Sequence, residues 1–238
     1  MKIALIGYGK MGKAIEQIAV SKGHEIVLKV DFDNLSDLNT NNLKKADVAI
    51  EFTGPDSAVG NLLKCFEAQT PVVCGSTGWL DKIEEVKQKC LEHNSTLLYS
   101  SNFSIGVNIF FELNKRLAEM MMDHTDYSIR VEETHHTQKK DAPSGTAITI
   151  AEGILNHISR KDKWVNEVTS KPNELEILSY RIDPAPGTHK VSYSSAVDDI
   201  EITHTAHNRT GFASGAVLGA EFIASKKGIF SMKDVLGF

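Results

Sequence analysis

Through its first hundred residues the chain alternates short apolar runs with stretches of helical periodicity. Ile3-Ala4-Leu5-Ile6 has the pattern of a buried strand, and behind it Met11, Ala14, Ile15, Ile18 and Ala19 recur at helical spacing up to a stop at Gly23. A second strand, Ile26 to Val30, ends at Asp31. The pattern then repeats: a strand over Val48 to Phe52, a helix from near Asp56, a strand over Val72 to Cys74, a helix from Leu80 to His93 and a strand over Thr96 to Tyr99. Such alternation predicts an α/β domain with a parallel sheet covered on both faces.

After Gly106 the pattern changes. A helix is predicted from Val107 to Met122, a half-buried strand over Tyr127 to Glu132, and a further helix from Gly145 to about His157. Leu175 to Tyr180, Lys190 to Tyr193 and Ile200 to His204 alternate apolar and polar residues, as strands do when one sheet face is packed and the other open. This predicts a smaller α+β domain. The Ala- and Gly-rich segment from Phe212 to Lys226 reads as a buried helix returning to the first domain. The expected division is 1–104 with 209–238 for the first domain and 105–208 for the second. Asn34 to Asn42 reads as a polar loop, and Lys161 to Asn173 as a mobile one.

Composition adds limits. The 238 residues suffice for two modest cores, and 26 basic against 31 acidic residues leave a net charge of −5, with no basic stripe for nucleic acid. No apolar run approaches a membrane span, and Met1-Lys2 leads directly into a strand, so a cytoplasmic location is expected. Cys65, Cys74 and Cys90 show no ligand spacing and read as reduced structural thiols.

The loop after the first strand, Gly7-Tyr8-Gly9-Lys10-Met11-Gly12, has the GxGxxG spacing in its proper setting of strand, loop and helix. Gly7 permits the tight turn, Gly9 lets the backbone approach a pyrophosphate, and Gly12 allows close helix packing. Asp31, nineteen residues beyond Gly12 at the end of the second strand, is placed to accept both ribose hydroxyls. It would repel a 2′-phosphate, which favours NADH over NADPH; Lys10 and Lys29 act in the opposite sense. Phe52 to Pro55 and Gly75 to Gly78 follow buried strands and are candidate nicotinamide contacts.

The chemistry concentrates in Val131-Glu132-Glu133-Thr134-His135-His136-Thr137-Gln138-Lys139-Lys140-Asp141-Ala142-Pro143-Ser144-Gly145-Thr146-Ala147. It supplies proton donors, cations and a helix start suited to an anion. Adjacent His135 and His136 would point to opposite sides of a continuing strand, leaving open which of them faces a substrate. Lys139 and Lys140 can be read as a solvated turn, and Asp141 as the cap of the helix that follows. A paired His also raises zinc, but no third ligand stands at a short spacing, so no metal is expected.

The segment EETHHTQKKDAPSGTA resembles the signature of the 4-hydroxy-tetrahydrodipicolinate reductase family, also called dihydrodipicolinate reductase, of bacterial lysine and diaminopimelate biosynthesis. GYGKMG, IEFTGP, GSTGW, SSNFSIGVN, IEITHTAHNRTGFASGA and GIFSMKDVL are similar to family segments in the same order. The resemblance implies a Rossmann-type domain, a substrate-binding and oligomerisation domain with an open mixed sheet, and a homotetramer. The implied reaction is reduction of a cyclic unsaturated imine dicarboxylate by NADH or NADPH. Carried over by position, it makes His135 the general acid and Lys139 the catalytic or orienting cation, with His136, Lys139, Gly145 and Thr146 binding substrate. It assigns the cofactor to Gly7, Lys10, Met11, Gly12, Asp31, Gly75, Thr77, Ser100, Asn102 and Phe103, and the hinge to Arg209 and Phe212. Ser76 replaces the family's usual Thr, and the stretch Arg181 to His189 matches only loosely. Two other readings are an NAD-dependent amino-acid dehydrogenase, which the HHxxKxDAPSGT run argues against, and a non-enzymatic NADH-sensing module, which would not need convergent His and Lys.

Overall fold

The computed structural model describes every residue except Arg209, so the expected hinge role of that residue lies outside the described part. Two compact units are present: Met1–Ile105 with Thr210–Phe238, and Gly106–Arg209. In chain order the first contains β1 (Lys2–Ile6), α1 (Lys10–Ser21), β2 (Glu25–Val30), α2 (Thr40–Leu43), β3 (Val48–Glu51), α3 (Pro55–Glu67), β4 (Val72–Cys74), α4 (Ile83–Glu92) and β5 (Thr96–Tyr99). The second contains most of α5 (Ile105–Met121), then β6 (Ser128–His135), α6 (Gly145–Leu155), β7 (Lys163–Val165), β8 (Glu174–Arg181), β9 (Thr188–Ser194) and β10 (Asp199–Thr205). The chain then re-enters the first unit with α7 (Thr210–Ile223), β11 (Gly228–Phe230) and α8 (Met232–Leu236).

The first unit is built on six parallel strands in the order β11-β5-β4-β3-β1-β2. Apolar clusters cover both faces: Leu62, Cys65 and Phe66 of α3 with Val86 of α4 on one, Ile15 of α1 with Ala213, Val217 and Ala220 of α7 on the other. Burying each large aliphatic side chain contributes roughly 1.5–3 kcal/mol, which is why the strands read as continuous apolar runs. Strand order reverses between β1 and β3, and in open α/β sheets that switch point opens a crevice beyond the strand ends.

The second unit is a mixed five-stranded sheet, β10-β9-β6-β8-β7, in which β6 runs parallel to β8 and antiparallel to β9. Phe110, Leu117 and Met121 of α5 and Ile150 and Ile154 of α6 pack on one face, against Val131, Ile177 and Val191. The other face carries the ion pairs Arg130–Glu176 and Lys190–Glu201.

Two local expectations are corrected. The polar stretch Asn34 to Asn42 runs into a helical turn, α2, because the Asn39 side chain accepts from the Asn42 N–H and Leu43 is fully buried. Within Lys161 to Asn173, β7 joins the sheet edge beside β8. Beyond α7, a strand for which no expectation was made, β11, extends the parallel sheet beside β5. Strands of three residues are too short to display a period.

Candidate active site

In the first unit the glycine loop has the geometry its spacing requires. Gly7 has φ +94°, and a Cβ there would lie 2.2 Å from the Phe52 carbonyl oxygen; one on Gly12 would lie 2.4 Å from the Gly7 oxygen. A Cβ on Gly9 would meet nothing within 4 Å, so the backbone is bare where α1 begins. With no side chain capping α1, its first N–H groups are available to an anion. A cavity of about 220 Å³ opens beside this loop, lined by Gly7, Gly9, Asp31, Phe32, Leu35 and Thr53 among others. These features fit the pyrophosphate, ribose and ring of a dinucleotide.

Parallel strands end on one edge, and the expected cofactor residues all follow strand ends there: Gly7 to Gly12 after β1, Asp31 after β2, Gly75 and Thr77 after β4, Ser100, Asn102 and Phe103 after β5. The Phe103 side chain is buried in the core beside Phe52, so only its backbone is left for a ligand. Ser76, the departure from Thr, is buried; its hydroxyl accepts from the Thr53 N–H at 2.9 Å and ties the loops after β3 and β4 together. The buried Glu51 carboxylate fixes the same corner, accepting from the Thr53 N–H, the Thr53 hydroxyl and the Cys74 thiol. All three cysteines are buried and free, and burial pushes their thiols up, Cys90 to about 11.

In the second unit β6 alternates strictly, with Ile129, Val131, Glu133 and His135 on its buried face. His135 is 8% exposed and Glu133 1%. The strand ends at His135, and His136 is half-buried in the loop beyond. Glu133 is the centre of this site, and the sequence reading passed over it. Its Oε1 accepts from the Ser144 N–H at 3.0 Å and from Arg181 at 3.2 Å; its Oε2 faces His135 Nδ1 at 3.4 Å and His189 Nε2 at 3.7 Å. Burial by itself would raise the pKa of this carboxyl. The His135 imidazole and the Ser144 hydroxyl and N–H outweigh it and hold the group well below the usual carboxylate range. Burial likewise pushes the His189 imidazole down to about 4, with the His135 ring reinforcing it.

Ser144 caps α6, its hydroxyl accepting from the Ala147 N–H, so Asp141 is not the cap. Asp141 instead holds the Lys139 ammonium, at 2.9 Å from both carboxylate oxygens. Gly145 and Thr146 open the helix, with free space around the Gly145 α-carbon. Arg181 also donates to the Asp141 carbonyl, and Thr137 donates to Asp183 through its N–H and hydroxyl. Arg181 and His189, from the stretch of loosest resemblance, thus both reach Glu133. Among the described residues Glu133, His135 and His189 have donor atoms within 4.8 Å of one another. The guanidinium and N–H already on the carboxylate oppose a metal cation there.

Two family models match the chain, dihydrodipicolinate reductase N-terminus over residues 1–103 and dihydrodipicolinate reductase C-terminus over 106–236. The chain belongs to the dihydrodipicolinate reductase family. It is 49% identical over 236 residues to the 4-hydroxy-tetrahydrodipicolinate reductase of Christiangramia forsetii, covering 99% of this chain and 98% of that one. It is 36% identical over 197 residues to that of Methanoregula boonei, covering 82% and 76%. The dipicolinate-bound dihydrodipicolinate reductase from Paenisporosarcina sp. TG-14 shares the fold at a TM-score of 0.78 and 22% identity, over 97% of both chains. A dihydrodipicolinate reductase is an oxidoreductase with a nucleotide-binding N-terminal domain, so the amino-acid dehydrogenase and sensing-module readings fall away. Among the described residues no helix is long and apolar enough to cross a membrane.

Proposed function

We propose that the chain reduces 4-hydroxy-tetrahydrodipicolinate to tetrahydrodipicolinate with NAD(P)H, and that His135 and the start of α6 form its substrate site. The observation that carries this reading is that one buried carboxylate, Glu133, touches both His135 Nδ1 and the N-cap residue Ser144. A proton donor and a helix N-terminus are thereby held at one locus, as reduction of a ring bearing two carboxylates requires.

Residues Gly7 to Gly12 and Asp31 would hold the dinucleotide, with the loops carrying Gly75, Thr77, Ser100, Asn102 and Phe103 on the nicotinamide side. Bound there, a reduced nicotinamide supplies hydride to the unsaturated ring. Negative charge then develops on the substrate, and His135 protonates it as general acid. The Lys139 ammonium orients a substrate carboxylate or offsets the developing charge, exchanging its Asp141 partner for the ligand. The N–H groups of Gly145 and Thr146 receive a carboxylate with the support of the helix dipole, and His136 adds a polar contact.

NADH is the preferred cofactor on this reading. Asp31 lines the cavity beside the glycine loop, where its carboxylate would repel a 2′-phosphate, and Lys29, which would otherwise attract that phosphate, is paired with Glu16 at 2.7 Å and lies over the Tyr8 ring. We further propose that 1–104 with 209–238 bind the dinucleotide, that 105–208 bind substrate and form a homotetramer, and that the enzyme works in the cytoplasm.

The test follows NADH absorbance with freshly generated cyclic substrate. His135→Ala should lower kcat by about 10²–10⁴-fold, the usual contribution of a general acid. Lys139→Ala should lower kcat/KM with a large rise in KM. Wild-type turnover in both variants would remove the site assignment.

A further inference from the structure

Glu133 has no part in the reaction as described, although its carboxylate is ionised, buried and in reach of four other groups. An ionised carboxylate in a strand interior is costly unless its partners compensate it. Those partners are distributed unevenly. Oε1 takes both strong donors, the Ser144 N–H and Arg181, whereas Oε2 has the two imidazoles before it and, among the described residues, no hydrogen bond. His135 Nδ1 likewise has no hydrogen-bond partner among the described residues, and it faces Glu133 Oε2 at 3.4 Å. The opposite edge of the ring lies beside Gly187, where a Cβ would come 3.1 Å from His135 Nε2. The ring thus has one nitrogen facing a carboxylate and the other beside a residue that has no side chain.

We propose that Glu133 is the positioning residue for the proton transfer: it fixes the His135 ring with Nδ1–H toward Oε2 and Nε2 toward the substrate, while its Oε1 anchors the N-cap of the helix that receives the substrate carboxylate. This rests on the reading of His135 as the acid. A neutral imidazole in water favours the proton on Nε2, so the carboxylate reverses the tautomer preference and supplies the counter-charge for the imidazolium. Because Oε1 and Oε2 belong to one rigid group on β6, the proton donor and the anion-binding helix start keep a constant separation. That separation is what a substrate with fixed spacing between ring and carboxylate needs. Gly187 has a matching part, since any side chain there would cover Nε2.

The charged and titratable groups around His135 are Glu133 on its own strand, Arg181 on β8, His189 on β9 with His204 opposite it on β10, and His136, Lys139 and Asp141 in the loop before α6. Of these only Glu133 places an anionic oxygen before Nδ1. Glu133→Gln keeps the shape and the acceptor for Ser144 but removes the charge and can present an N–H₂ donor to Nδ1. The expected result is a kcat lower by on the order of 10²-fold, a NADH Kd from fluorescence within about two-fold of wild type, and an alkaline limb of the kcat–pH profile displaced to lower pH by about one unit or more. Glu133→Asp, which restores the charge at a longer reach, should recover part of kcat and return the limb toward its wild-type position. Unaltered kcat in Glu133→Gln, or a loss of kcat with the limb unmoved, would overturn the proposal.

If Glu133→Gln does not fold, the wild-type protein answers the question through ¹⁵N NMR of its imidazoles above neutral pH. Neutral His135 should then carry its proton on Nδ1, and a proton on Nε2 would refute the inference. His135→Ala separates the two levels of argument. Full turnover in that variant removes His135 as the acid, whereas lost turnover there beside an unaffected Glu133→Gln removes only the role given to Glu133.

Discussion

Taking His189 and Glu133 out of water ties the second unit to pH at the level of single residues. His189, pushed down to about 4, binds its proton more readily when unfolded, so it favours the folded state above its ordinary value near 6.5. That contribution falls as pH drops from about 6.5 to about 4. Glu133, held below the usual carboxylate range, adds a second loss below about 4.5 as the unfolded chain takes up a proton that the folded one refuses. Thermal melts should therefore show the Tm of the second unit declining from pH 6.5 downward, and His189→Gln should flatten the upper part of that decline. A Tm independent of pH between 4 and 6.5 would contradict the cause assigned here. In the first unit, Asp31→Ala should bring the NADH and NADPH Kd values closer together, as competitive titration will measure. Equal affinities in the wild type would mean that nearby lysines outweigh the acid.

Helix α6 and the β6 strand show how elements carry these residues. Strand parity set Glu133 on the inner face: Ile129, Val131, Glu133 and His135 share it, whereas the strand expected from the sequence stopped at Glu132. Glu133 was overlooked because the expected strand ended one residue before it, so the inward parity was not carried on to it. Removing the cap in Ser144→Ala should cost about 1 kcal/mol and lower the Tm by a few degrees. It should also raise KM for the imine more than it changes kcat, since the helix start is a binding element; steady-state kinetics beside a thermal melt will separate the two. At α7 the decisive feature is close approach. A Cβ on Gly215 would lie 1.7 Å from the Phe103 carbonyl oxygen, so Gly215→Ala should displace the loop after β5 and weaken NADH binding several-fold in a fluorescence titration, with a lower Tm.

For the molecule as a whole, one face of the second sheet is covered by α5 and α6 while its other face holds charged pairs around a cavity of about 420 Å³ lined by Arg130, Glu132, Glu176 and Lys190. The homotetramer proposed above predicts a mass about four times 26.2 kDa by light scattering, and a monomer at micromolar concentration would refute it. Strand and helix periods, the glycine spacing and the acid at 31 were fixed by the sequence alone, because each depends on neighbours a few residues away. The family, too, was legible in the contiguous run around His135. What only the folded chain decided was the company that residues distant in sequence keep. Glu133 meets Arg181 and His189, 48 and 56 positions on, because β6 lies between β8 and β9. Ser76 bonds to Thr53 because β3 and β4 are neighbours. Pairing of strands is a property of the whole sheet, set by which faces can be buried together, and no local window of sequence contains it.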